Sequence, residues 1–289
     1  MKKLPSPVSL PSLSKYVSAP ALLHQVRQAF EQVPDPRRYG QQFSLPDVLM
    51  SGLAVFGLKS PSLLKFDEQR NELTIRANLK ALYGVELAPC DTQLRAVLDR
   101  VDPAELRTPF VRIHQRLDQK HFLEGLLFLG SFLISIDGTG QFSSTRVHCP
   151  ECCVRHCRNG EIGYYHQLLG AVMVHPDQAQ VLPLFPEAIT YQDGATKNDC
   201  EMNASKRLLP QLRKAFPDWS LRVVEDSLSA NGPHLKLLKE LSIGYIISVK
   251  PDGQESLFSA VDQCRVRGET SEFEDLGTDG ILRGYRWIN

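Results

Sequence analysis

The spacing of apolar residues changes once along this chain, near residue 130, and that change limits what the chain can fold into. Before it, segments such as "ALLHQVRQAFEQV" and "LRTPFVRIHQRL" carry apolar residues every three to four positions, which predicts amphipathic helices. After it, "FLISID", "YYHQLLGAVMVH" and "QVLPLFPEAI" have the apolar runs and alternation typical of strands. We therefore expect helices over residues 18–130 and a β-sheet after them.

Helices and strands alternate beyond the first three strands. An amphipathic segment at 198–216, started by Asn198 or Asp199, precedes the apolar run "LRVVED", and a helix opening at Gly232-Pro233 precedes "GYIISVK". Three strands in series and then helix–strand–helix–strand predict the α/β class with a mixed sheet. The expected strands are 132–137, 164–175, 180–189, 221–226 and 244–250.

These patterns divide the chain into segments. Residues 1–17, spaced by Pro and Ser, are expected to form a flexible arm, and residues 131–250 a core domain. Residues 143–163 form a Cys/His-rich insertion between the first two strands of that core. Residues 251–289 are expected to begin a β-rich insertion.

The charge balance excludes a strongly basic chain. Lys and Arg total 33, as do Asp and Glu, so nucleic-acid binding would need a local basic face. Basic residues moderately outnumber acidic ones in the helical region, which could contain a helix-turn-helix or be an ordinary helical bundle. The prominent basic residues are Arg37, Arg38, Lys59, Lys65, Arg70, Arg76, Lys80, Arg95 and Arg100.

The absence of a long apolar run predicts a cytosolic protein with no membrane partner. Four of the seven cysteines lie within residues 149–157, which favours metal binding over a disulfide framework. Cys149-x-x-Cys152 is a chelating pair of the kind that zinc sites use. We expect Cys149, Cys152 and His156 as ligands, with Cys153 or Cys157 as the fourth; the alternative is reduced cysteines in a surface loop.

Two apolar runs end in an aspartate, Asp137 in "FLISID" and Asp226 in "LRVVED". If the two strands are neighbours, their carboxylates repel unless a metal lies between them or a pKa is raised. Mg²⁺ prefers such oxygen ligands. Four other acids could reach the same place: Glu187, Asp199, Glu201 and Glu225. We interpret Asp199 and Glu201 as helix-start acids, and we expect Glu225 to face away from Asp226.

The strand order and the segments "LISIDGTGQFSS", "TKNDCEMNASKRLL" and "VVEDSLSANGPHLKLLKEL" resemble the DDE transposases of bacterial insertion sequences. The resemblance runs over about residues 20–289 and is strongest from 131 to 250. It implies a ribonuclease-H-like catalytic core, with Asp137 and Asp226 as the first two acids of a triad. It also implies Mg²⁺ or Mn²⁺, double-stranded DNA as partner, a homodimer when assembled on DNA, and a bacterial, nucleoid-associated location.

The chemistry implied by the resemblance is metal-dependent hydrolysis at transposon ends, followed by attack of the freed 3′-hydroxyl on target DNA. Its third acid is a Glu in a Tyr-x-x-Arg-x-x-x-Glu pattern after the fifth strand. No Glu beyond residue 250 has that setting, the candidates being Glu255, Glu269, Glu272 and Glu274. We therefore expect a truncated transposase that cannot complete transposition.

Three alternatives remain at this point. The first is a non-catalytic DNA-binding remnant of a transposase, and the second is a structural protein that uses the zinc loop for partner contacts. The third arises because "DGT" also resembles the haloacid-dehalogenase phosphatases, whose nucleophilic Asp would fall at Ser135. A serine with no base beside it is a poor substitute for that carboxylate.

Overall fold

The computed structural model describes residues 17–38, 41–190 and 200–288. Of the expected arm, only residue 17 lies within these ranges, and the expected helix starts Asn198 and Asp199 lie outside them. A group of helices comes first, a mixed β-sheet with flanking helices follows, and a helix and a hairpin come last. The α/β class expected from the sequence is therefore confirmed.

Six α-helices are described before the sheet, and serine side chains cap three of them. Ser18, Ser44 and Ser62 each accept a hydrogen bond from a backbone N–H in the first turn, which satisfies a donor the helix leaves unpaired. None of the described helices is long and apolar enough to cross a bilayer. The six are α1 (Ala19–Phe30), α2 (Leu45–Gly57), α3 (Leu63–Gln69), α4 (Leu73–Tyr83), α5 (Asp91–Leu98) and α6 (Arg107–Gln119).

Two separate hydrophobic clusters hold the chain together. The first joins helices α1 to α5 and includes the fully buried Met50, Phe66 and Leu94. The second lies under the sheet, and α6 packs against it through Phe110 and Leu117. The last helix of the predicted helical region therefore contributes to the core of the sheet.

The main sheet is built around one long central strand. β2 pairs antiparallel with β4 on one side and parallel with β7 on the other, and β8 pairs parallel with β7. The short β1 pairs with β2, and β3, β5 and β6 all pair with β4. The strands are β1 (Leu127–Phe128), β2 (Ser131–Ser144), β3 (Cys153–His156), β4 (Ile162–His175), β5 (Gln178–Pro183), β6 (Glu187–Ile189), β7 (Leu221–Glu225) and β8 (Gly244–Ile247).

Two helices connect the parallel strands. Helix α7 (Glu201–Ala215) leads into β7 and buries Leu208, Leu209 and Leu212 against the sheet. Helix α8 (Gly232–Glu240) leads from β7 to β8, with Asn231 capping its start. Both helices lie in the chain where the sequence pattern predicts them.

Several strand boundaries differ from the sequence prediction. β2 does not end at Asp137, because β4 offers pairing partners as far as Tyr164, opposite Ser144. The expected strand at 180–189 is interrupted between β5 and β6, where Pro183 and Pro186 cannot donate ladder hydrogen bonds. β8 ends at Ile247, three residues earlier than expected.

The region after residue 250 begins with a helix rather than a strand. α9 (Glu255–Val266) precedes an antiparallel hairpin formed by β9 (Ser271–Leu276) and β10 (Leu282–Trp287). All residues of the two hairpin strands are exposed. The prediction of a β-rich segment here was therefore right only for its second half.

Candidate functional site

Asp137 and Asp226 occupy equivalent positions on neighbouring strands. The last registered pair of the parallel β2–β7 ladder is Ser135 with Val224, and each aspartate lies two residues beyond that pair. Asp226 directly follows β7 and caps a short 3₁₀ turn, with its Oδ1 accepting from Leu228 N–H at 3.0 Å. The structure therefore brings these two predicted site residues to the same edge of the sheet, and both are exposed there.

A narrow cleft joins the two aspartates to a third acid, Glu201. Glu201 is the first residue of α7, and its Oε1 accepts a hydrogen bond from Gln167 Nε2 at 2.8 Å. The Glu201 carboxylate fills the space beside Gly138, where an added Cβ would lie only 2.5 Å from Glu201 Cδ. A side chain at position 138 would therefore displace the Glu201 carboxylate and the Gln167 amide, whereas glycine leaves both in place.

The three acids interact electrostatically. Burial raises the pKa of the Glu201 carboxyl above its ordinary value of 4.5, and the negative charges of Asp137 and Asp226 raise it further. The hydrogen bond from Gln167 acts in the opposite direction. A cation bound in the cleft would relieve this repulsion, so the arrangement has the charge that a metal site needs.

One polar atom in the cleft has no partner among the described residues. The hydroxyl of Ser205, one turn along α7 from Glu201, is buried and makes no hydrogen bond to any of them. Buried polar groups are nearly always paired, so an orphan hydroxyl in the lining of a cleft points to a ligand or solvent molecule. Together with three carboxylates, it gives the cleft a set of oxygen donors.

The remaining acids considered from the sequence have other roles or lie elsewhere. Asp199 lies outside the described residues. Glu225 also lines the cleft, but it is buried and its Oε2 lies 2.7 Å from His234 Nε2, so its carboxylate is already engaged by that histidine. Glu187 is buried and forms ion pairs with Arg107 and Arg207, which makes it a structural anchor.

A second candidate site lies in the Cys/His-rich insertion. Cys149 Sγ lies 3.8 Å from Cys152 Sγ, and each sulfur lies 3.3 Å from Nε2 of His166. In the described part of the chain this is the one set of three His, Cys, Asp or Glu ligand atoms gathered within 4.8 Å. The three acids of the cleft are spread more widely than this.

Of the predicted ligands, the structure groups Cys149 and Cys152 with each other and with His166, and it leaves His156 outside that group. His156 lies on β3 opposite Ile162 and is exposed, outside the cluster that His166 completes from β4. The signal for His166 is present in the sequence, because thirteen residues separate it from Cys152, a spacing that zinc sites use.

The structure also leaves Cys153 and Cys157 out of the metal-ligand group. Cys153 is fully buried in the core of the sheet, and its Sγ lies 3.6 Å from the carbonyl oxygen of Ile189. Cys157 follows β3, and its backbone N–H donates to Glu161 O in the turn before β4. Strand pairing thus separates these two sulfurs from the pair at Cys149 and Cys152.

The basic residues of the helical region divide into paired and unpaired cations. Arg37, Arg70 and Lys80 form ion pairs with neighbouring acids. Arg76 on α4 and Arg95 on α5 are exposed, and no ion pair of either is found among the described residues. Arg38, Lys59 and Arg100 are exposed in the same way and have no ion pair in the described part of the chain, so these five cations are the candidates for contacts with an anionic partner.

Comparison with known proteins adds no relative. No protein-family model matches the chain, and a search of curated proteins likewise found no match. The function of the chain is therefore inferred from the two sites just described.

Proposed function

We propose that this chain is the catalytic region of a DDE-type transposase, a metal-dependent enzyme that cleaves and joins DNA phosphodiesters. One observation carries the proposal. Asp137 and Asp226 lie at matching positions at the same edge of the sheet, each two residues past the last pair of the parallel β2–β7 ladder. The third carboxylate in their cleft, Glu201, strengthens it. Double-stranded DNA is the proposed substrate, and a homodimer on DNA the proposed assembly.

The connectivity of the sheet supports a ribonuclease-H-like core. Strands β2 and β4 run antiparallel, and helix–strand–helix–strand then adds β7 and β8 in parallel on the other side of β2. The central strand and its first parallel neighbour carry the two aspartates. This is the arrangement that the resemblance to DDE transposases implies.

The donor set of the cleft fits Mg²⁺ or Mn²⁺. Both ions prefer carboxylate and other oxygen ligands, and Asp137, Glu201 and Asp226 are the residues that would hold them. When bound, such an ion acts as a Lewis acid toward the phosphodiester and the attacking oxygen. Glu201 serves as the third carboxylate, which the segment after residue 250 does not offer in the expected sequence setting.

The chain's own residues define the rest of the proposed chemistry. Gln167 orients the Glu201 carboxylate through its hydrogen bond. Gly138 leaves room for that carboxylate beside β2. The hydroxyl of Ser205 is free to bind solvent in the cleft.

The phosphatase alternative gains no support from the fold. Ser135, at the position of the required nucleophile, lies within β2 between Val172 and Val224 of the two neighbouring strands. The next long strand, β4, is antiparallel, whereas that fold needs alternating strands and helices. Both observations argue against a phosphatase of that class.

The test is DNA cleavage with purified full chain, using a linear DNA that carries the chain's gene with its native flanks. We expect nicking with Mg²⁺ or Mn²⁺, none with chelator, and losses of about 100-fold or more in Asp137→Asn, Asp226→Asn and Glu201→Gln. Asp218→Asn is the control, because Asp218 is exposed just before β7, at the other end of that strand.

Three results would count against the proposal or a part of it. DNA binding without cleavage under any metal condition would favour the non-catalytic remnant. Cleavage that survives both aspartate substitutions would remove the acidic cleft as the site of chemistry. Full activity of Glu201→Gln with loss in the aspartate variants would reject Glu201 alone.

A further inference from the structure

We infer that Cys149, Cys152 and His166 bind one zinc ion, which ties the loop after β2 to strand β4. Cys149 and Cys152 lie in the turn that leads into β3, and His166 lies on β4 opposite Phe142 of β2. The ligands thus come from two segments that are separate in sequence. This site is independent of the acidic cleft and of the function proposed for it.

The distances between the ligand atoms match a tetrahedral zinc site. With Zn–S of about 2.3 Å, Zn–N of about 2.0 Å and tetrahedral angles, two sulfurs should lie about 3.8 Å apart and each about 3.5 Å from the nitrogen. The observed separations are 3.8 Å for the sulfurs and 3.3 Å for each sulfur to Nε2. The three atoms therefore already have the spacing that a common central ion requires.

Hydrogen bonding alone does not account for the close grouping of the two sulfurs and the His166 Nε2 atom. The Nε2 atom of His166 carries either one proton or one lone pair, so it can make a linear hydrogen bond to only one of the two sulfurs. Both sulfurs nevertheless lie at the same 3.3 Å from it. A metal ion at the centre interacts with all three atoms at once.

A backbone turn fixes the positions of the two cysteines. The backbone N–H of Cys149 donates to Cys152 Sγ at 3.3 Å, and the N–H of Cys152 donates to the Cys149 carbonyl at 3.2 Å. This turn orients both side chains toward His166. Two thiolates and one imidazole select zinc over Mg²⁺ or Ca²⁺, which prefer oxygen ligands.

The three protein ligands leave the fourth tetrahedral position to solvent. Within the described ranges, no further His, Cys, Asp or Glu joins the group. Cys149 is exposed and Cys152 is buried, so one side of the site is open to water. We therefore expect three protein ligands and one water.

The test is the zinc content of full-length protein purified without chelator. We expect about one zinc per chain, and a loss of at least about tenfold in zinc affinity for Cys149→Ser, Cys152→Ser and His166→Asn. The matched controls His156→Asn and Cys157→Ser should keep the zinc. These controls separate the cluster in the structure from the neighbouring residues of the same insertion.

Two measurements on the unmodified chain test the zinc site even if the variants fail to fold. Replacing zinc by Co²⁺ should give the visible absorption of a tetrahedral thiolate site, and zinc added to chelator-treated protein should restore its Tm. Zinc retained by His166→Asn but lost from His156→Asn would overturn the proposed ligand set. A metal-free chain with a Cys149–Cys152 disulfide, detected by mass, would overturn the site itself.

Discussion

At the scale of single residues, the acidic cleft shows why Gly138 follows Asp137. The Glu201 carboxylate occupies the space that a side chain at Gly138 would need, and Gln167 holds that carboxylate in position. Glu201 is a helix-start acid, as the sequence predicts, yet its position in the cleft suits it for a second role. Its pKa is raised chiefly by burial, and the negative charges of Asp137 and Asp226 raise it further.

The first prediction at this scale concerns Glu201→Gln and the pH dependence of stability. Because the pKa of Glu201 is raised above 4.5 in the folded state, the folded protein holds this proton more tightly than the unfolded chain does. Stability should therefore fall as pH rises from about 4.5 through the folded-state pKa. Removing the charge should raise the Tm of chelator-treated protein at pH 7 and reduce the further rise that Mg²⁺ causes.

The measurement is thermal unfolding across pH, with and without Mg²⁺. Asp218→Asn is again the matched control, since it removes an exposed carboxylate away from the cleft. A Glu201→Gln protein that is less stable than the original chain at pH 7 without metal would contradict the repulsion argument.

At the scale of elements, helices α4 and α5 each carry an exposed arginine that an anionic partner could contact. Residues 84–90 join these two helices, and Gly84 ends α4 in the left-handed conformation at φ 68°. Arg76 and Arg95 project from them without ion pairs in the described structure, whereas Lys80 on α4 pairs with Glu86. Because the chain as a whole has no net charge, DNA binding would depend on local positive charges such as these two arginines.

We predict that Arg76→Ala combined with Arg95→Ala weakens DNA binding. If each arginine contacts one phosphate, the slope of log affinity against log salt should decrease by about 2 in the double variant. Lys80→Ala is the control on the same helix, because its charge is already paired with Glu86. Fluorescence anisotropy with a labelled duplex at several salt concentrations measures the slopes, and equal slopes for all proteins would reject this surface.

At the scale of the whole molecule, α6 links the helical region to the sheet. Its Arg107 pairs with the buried Glu187 of β6, which also pairs with Arg207 of α7. Its Asp118 accepts a hydrogen bond from the Trp219 indole at 2.9 Å, just before β7. Helix α6 therefore contacts the sheet domain through polar interactions as well as through apolar packing.

We predict that Glu187→Gln lowers the free energy of unfolding by about 2–3 kcal/mol. Breaking a buried ion pair leaves the partner charges unsatisfied, and the cost is moderated here because both arginines are partly exposed. Urea unfolding measures the change. Glu124→Gln is the control, since Glu124 forms an exposed pair with His121 and should change stability by less than about 1 kcal/mol. Equal stabilities for the two variants would contradict the anchoring role of Glu187.

Local sequence patterns are sufficient for most of the elements and for two of the three residues in each candidate site. Apolar periodicity predicts the helices and the order of strands, because it reflects which faces must be buried. Asp137, Asp226, Cys149 and Cys152 stand out because each lies in a short recognisable motif. The interruption between β5 and β6 was also available from Pro183 and Pro186.

The partners that complete each site depend on strand pairing and helix docking, which short motifs do not encode. Glu201 reaches the two aspartates because α7 packs its first turn against the strand that carries Gly138. His166 reaches the cysteine pair because β4 runs antiparallel to both β2 and β3. The extension of β2 past Asp137 likewise follows from the length of β4, since a strand continues for as long as a neighbour satisfies its backbone hydrogen bonds.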